Sequence, residues 1–95
     1  MAQNTTLTLT AGVWTQLSNA DITAIRVATL GTEAIWLAAT VGATPPSNTD
    51  GAVPLLPGQI MAADLTLSQL WPGVSGANRV YAQSTNTAKV SVSHA

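Results

Sequence analysis

Thr6-Leu7-Thr8-Leu9-Thr10 alternates polar and apolar residues without a break. Successive side chains on a β-strand point to opposite faces, so this stretch predicts a half-buried strand. Leu7 and Leu9 face inward and the three threonines face outward. Working outward, the same period recurs. Gly12 ends the first strand, and Val13 to Leu17 resumes as a short one. Asp21 to Leu30 and Glu33 to Val41 read as a hairpin around Leu30-Gly31-Thr32-Glu33. Ile25 and Val27 share one of its faces, and Arg26 marks the other. In the return strand Ile35, Leu37, Ala39 and Val41 lie on one face with Trp36 opposite. Ala38-Ala39 has weak strand preference, which leaves a helical alternative, but the β-branched and aromatic flanks favour strand. Arg79 to Ser84 and Ala88 to Ser93 form a last hairpin across Thr85-Asn86-Thr87, with Val80, Ala82, Val90 and Val92 inward.

Three segments lack this clear alternation. Met1 to Thr6 is polar and reads as an N-terminal arm (residues 1–6). Gly42 to Gly58 holds four of the five prolines and three of the seven glycines, so residues 42–58 read as one long loop. Its run Ala43-Thr44-Pro45-Pro46-Ser47-Asn48-Thr49-Asp50-Gly51 is turn chemistry throughout, and the prolines favour a preshaped loop. Gln59 to Leu70 is ambiguous. Leu65 and Leu67 alternate with Thr66 and Ser68 as a strand would, and strand is the favoured reading. The alternative is a short helix capped by Asp64, with Leu67, Leu70 and Trp71 on its inner face. Trp71-Pro72-Gly73-Val74-Ser75-Gly76 is a tight connection. Seven or eight short strands at turn spacing of about 8–12 residues predict a single all-β domain over residues 1–95. The expected fold is an antiparallel β-sandwich, jelly-roll-like or Ig-like.

Composition restricts the function. Only seven of the 95 residues are charged, whereas 21 are Ser or Thr, and the net charge is −1. Soluble domains usually carry about a quarter of their residues charged. A surface of Thr, Ser, Ala, Asn and Gln suits a protein that works among packed neighbours. Arg26, Arg79 and Lys89 are scattered, which argues against a phosphate-binding surface and so against nucleic acid. The charge-free run at residues 51–63 contains prolines and glycines, and no membrane span is expected. Cysteine is absent, so neither a disulfide framework nor a thiolate metal site is expected. Met1-Ala2-Gln3-Asn4-Thr5-Thr6 has no basic start and no apolar h-region, so no secretory leader is expected and its Asn-Thr-Thr sequon reads as coincidence.

Catalysis needs a base, a nucleophile or a metal held in a pocket. The one histidine, His94, sits beside the C-terminus and reads as a solvated or interface residue. Asp50 and Asp64 have turn and cap roles open to them, and Gly73-Val74-Ser75-Gly76 lacks the Lys-Ser or Lys-Thr of a phosphate loop. No catalytic residue, metal ligand or cofactor is expected, and the chain reads as a non-enzyme. Trp14, Trp36, Trp71 and Tyr81 are all the aromatics. At least two tryptophans are expected to complete the core. Trp36, which faces away from Ile35 and Leu37, is expected at a subunit contact, since aromatics are enriched in interface centres. The candidate protein-interface residues are Asn4, Thr5, Trp36, Pro45, Pro46, Trp71 and Tyr81.

Across residues 13–95 the chain resembles small accessory virion proteins of tailed bacteriophages. The resemblance rests on Val13-Trp14-Thr15-Gln16-Leu17, Ala24-Ile25-Arg26-Val27, Pro57-Gly58-Gln59, Trp71-Pro72-Gly73-Val74, Arg79-Val80-Tyr81-Ala82 and Val90-Ser91-Val92-Ser93-His94-Ala95. These are scaffold signatures without catalytic content. The resemblance implies a capsid decoration (cement) protein that stabilises contacts between capsomers, bound to the major capsid protein outside the head. It also implies homo-oligomers, trimers favoured, assembled in the host cytoplasm and located in the virion. Two other readings stand beside it: a tail, neck or fibre-base component, and a carbohydrate-binding module with Trp36, Trp71 or Tyr81 stacking on sugar rings.

Overall fold

In the computed structural model, which describes residues 3–19, 21–47, 51–61 and 64–94, alternation becomes eight strands. They are β1 (Gln3–Leu9), β2 (Thr15–Gln16), β3 (Arg26–Thr29), β4 (Ile35–Thr40), β5 (Val53–Leu55), β6 (Ile60–Met61), β7 (Arg79–Gln83) and β8 (Ala88–His94). A short helix α1 (Leu67–Leu70) lies between β6 and β7. β1 pairs with β8, β2 with β7, β3 with β6 and β4 with β5, all antiparallel, like one long hairpin nested on itself. Rolling that hairpin adds the contacts β3–β8 and β4–β7. Two four-stranded sheets result, ordered β1-β8-β3-β6 and β2-β7-β4-β5. This is the connectivity of a jelly roll.

The core lies between the sheets, where the inward positions of each strand meet. Leu9, Ile25, Val27, Ile35, Leu37, Val80, Ala82, Val90 and Val92 are fully or almost fully buried, and Leu17 and Leu67 join them from the connections. Burying each large aliphatic side chain contributes about 1.5–3 kcal/mol relative to leaving it exposed. Val41, expected inward, is 57% exposed. β4 stops at Thr40 because the chain bends there: the Gly42 N–H donates to Asn78 Oδ1 (2.7 Å) and Thr40 Oγ1 donates to the Gly42 carbonyl (2.9 Å). Val13 is likewise exposed and lies before β2.

Both expected hairpins are sheet-to-sheet corners. β3 and β4 belong to different sheets, as do β7 and β8, so the turns at Leu30–Glu33 and Thr85–Thr87 join strands that face one another across the core. Only the β4–β5 connection stays within a sheet. The β5–β6 corner is Leu56-Pro57-Gly58-Gln59, closed by the Gln59 N–H donating to the Leu56 carbonyl (3.0 Å). Gly58 at φ +84° supplies the left-handed backbone that the third position of such a Pro-Gly turn requires.

Three segments depart from their expected structure. Residues Gln3 to Thr6 are not a separate arm but the first half of β1, in register with His94, Ser93, Val92 and Ser91. An edge strand solvated on one face can be polar there, so it needs no apolar alternation. The 42–58 loop contains β5, whose Pro54 is tolerated because β5 is a sheet edge. Leu65 to Leu70 is not a strand. Leu67–Leu70 is helical, and the cap is Thr66 rather than Asp64. The Gln69 N–H donates to Thr66 Oγ1 (3.3 Å) while the Thr66 N–H donates to Gln69 Oε1 (2.8 Å), a reciprocal capping box. The helix drops Leu67 into the core and places Trp71 beside it.

Candidate functional site

The outer face of the β2-β7-β4-β5 sheet gathers most of the chain's unabsorbed chemistry. Opposed residues in antiparallel strands share a face, so the register places the side chains directly. Trp36 stands opposite Gln83 on one side and Pro54 on the other. Ala38 stands opposite Tyr81, which in turn stands opposite Gln16 of β2. Trp36 and Tyr81 are therefore diagonal neighbours, close enough for large side chains to meet. Trp36 is 37% exposed, as expected of an outward residue, because Ile35 and Leu37 take the inward positions beside it.

Tyr81 behaves differently. It is only 3% exposed, and its hydroxyl donates to Gln16 Oε1 at 2.9 Å. Gln16 Nε2 in turn donates to the Ser18 carbonyl, so the amide is held from both ends. A phenol committed in this way is part of the sheet surface and does not offer an open stacking platform. At the far end of the face, Arg79 pairs with Asp21 through Nη2 to Oδ1 (2.8 Å) and Nε to Oδ1 (2.9 Å). Asp21 is largely exposed, so the pair anchors the rim and contributes little to stability.

The remaining candidate residues do not converge here. Trp71 is 7% exposed inside the core cluster, which removes it as a surface contact or sugar platform; it is the helix-side plug of the core. It is also the only tryptophan in that cluster: Trp14 is half-buried before β2, and Trp36 is outside. Asn4 and Thr5 are exposed on β1, in the other sheet. Pro45 is exposed and Pro46 half-buried after the bend that ends β4. His94 is buried at the end of β8 opposite Gln3, because the strand continues to that residue and turns it inward beside Val92. Asp64 is exposed, and Asp50 lies outside the described residues.

Three residues of the face, Gln16, Pro54 and Gln83, carry no individual signal in the sequence. They become its members only through pairing between distant strands. A second feature, a cleft of about 330 Å³, lies where the β3–β4 and β7–β8 corners meet. Leu30, Thr32, Glu33, Thr87 and Lys89 are among its lining residues, and Glu33 accepts from Asn86 Nδ2 at 3.2 Å. Among the described residues no three of His, Asp and Glu cluster as metal ligands, and no helix is long and apolar enough to cross a membrane. Comparison with protein-family models, curated proteins and solved structures finds no match to this chain.

Proposed function

We propose that this chain is a structural virion protein of a tailed bacteriophage, a capsid decoration protein that seats on the major capsid protein and steadies capsomer contacts. The observation that carries this reading is the outward indole of Trp36, flanked by Pro54 and Gln83 on an otherwise low-charge sheet face. A partner surface docking there desolvates no ion at the centre, and the Asp21–Arg79 pair stays at the rim. An aromatic anchor inside a polar rim is how interface energy is usually concentrated. The jelly-roll fold hosts shell-building and sugar-binding domains alike, so the argument rests on the face and not on the fold.

The Gln83 amide opposite Trp36 favours a second reading, a sugar platform in which the indole stacks and the amide oxygen holds a hydroxyl. With Tyr81 buried and hydrogen-bonded to Gln16, a single exposed indole fits a protein contact better. The test is copy number, measured by quantitative mass spectrometry of purified virions against the major capsid protein. A ratio approaching that of the capsid protein supports decoration. A ratio far below it moves the protein to the neck, tail or fibre, and absence from the particle overturns the virion reading.

A further inference from the structure

Edge strands expose a row of unpaired backbone donors and acceptors, and proteins blunt them with short length, charge, proline or bulges. Three of the four edges here follow that rule: β2 and β6 are two residues long, and β5 has three residues including Pro54. β1 does not. It runs seven residues, Gln-Asn-Thr-Thr-Leu-Thr-Leu, with no charge, no proline and no glycine. Its register against β8 is continuous from Gln3↔His94 to Leu9↔Ala88, so no bulge twists it away. Among the described residues β1 has a neighbouring strand on one side only.

We propose that β1 pairs antiparallel with β1 of a second copy of this chain, about a two-fold axis at Thr6, making one eight-stranded sheet from two four-stranded ones. The register that uses all seven residues centres on Thr6. It sets Thr6 against its own copy and Asn4 against Thr8 on the outer face, with Thr5 against Leu7 on the other. In this register only Thr6 meets its own copy, and β1 carries no charge that the pairing would have to bury. Threonine pairs across strands are favourable, and Leu7, half-buried at this edge, gains cover. Among the described residues each chain has one such edge, and β6 at the far side of the sheet offers two residues, so the pairing closes at two copies. The contact is independent of the Trp36 face, which lies on the other sheet.

Native mass spectrometry and sedimentation velocity on the full chain test this. The wild type is expected to be dimeric at about 100 μM, and Thr6→Lys, which sets like charges face to face, to weaken the dimer about tenfold or more. Thr6→Glu should do the same, and mixing the two variants should restore a one-to-one heterodimer. The Thr6 side chain is exposed, so both variants should keep the wild-type secondary structure by circular dichroism. A wild-type monomer or trimer, a Thr6→Lys dimer as tight as wild type, or variants that do not recombine on mixing would each overturn the proposal.

Discussion

The two outer faces of the sandwich differ in what they present. On the β1-β8-β3-β6 sheet, Thr6, Thr8, Lys89 and Arg26 are exposed, with Ser91 between them accepting from Arg26 Nη2 at 3.2 Å. Ile60, at the far edge, is the one large apolar exception. On the β2-β7-β4-β5 sheet the corresponding positions hold Trp36, Ala38, Pro54 and Tyr81, and both Ala38 and Tyr81 are already buried in the single chain. The first face is polar and exposed. The second pairs Tyr81, Gln83 and Arg79 within the chain and leaves the Trp36 indole partly exposed. Since both sheets share one core, the difference arises from the outward residues alone.

The sharpest way to break that comparison is to separate Trp36 from its neighbour. Leu37→Ala empties a fully packed inward site and should lower the unfolding free energy by about 2–5 kcal/mol in denaturant titration. Trp36→Ala, one residue away, loses cross-strand contacts with Pro54, Gln83 and the diagonal Tyr81 and should cost less, about 1–2 kcal/mol. Equal losses would make Trp36 a folding residue and remove the case for a binding face. Next in size is Tyr81→Phe. It strands the Gln16 acceptor and should cost about 0.5–1.5 kcal/mol, whereas Thr8→Val on the solvated face should stay within about 0.5 kcal/mol. A neutral Tyr81→Phe would mean the second face is as wet as the first. Arg79→Ala should do less than Tyr81→Phe. Losing the exposed pair with Asp21 should change stability by under about 1 kcal/mol, less in high salt; a larger loss would make the rim part of the fold's support.

Which side of β3, β4, β7 and β8 faces the core was legible in the sequence, because a period of two is local. Ile25, Val27, Ile35, Leu37, Val80, Ala82, Val90 and Val92 all lie where alternation put them. The partner of each strand was not legible. The turn residues at Leu30–Glu33 and Thr85–Thr87 encode where the chain reverses, but they do not encode whether the two arms pair edge to edge or face each other across the core. The one connection within a sheet, between β4 and β5, runs through the Pro-rich segment that read as pure loop. Thr66 and Gln69 fit a capping box, but the alternation of Leu65 and Leu67 masked it, and the alternative helix had Asp64 as its cap. The candidate face was half legible. Trp36 faced outward on alternation alone, while Tyr81's engagement with Gln16 depends on pairing across 65 positions.

The central claim is that the Trp36 face is covered in the assembled particle while the threonine face stays open. Hydroxyl-radical footprinting read by mass spectrometry, on free protein and on purified virions, tests it directly. The expected result is a several-fold fall in Trp36 oxidation on the particle, with Lys89 remaining open to amine acylation in both states. Equal Trp36 oxidation in the two states, or protection confined to Lys89, would contradict the account.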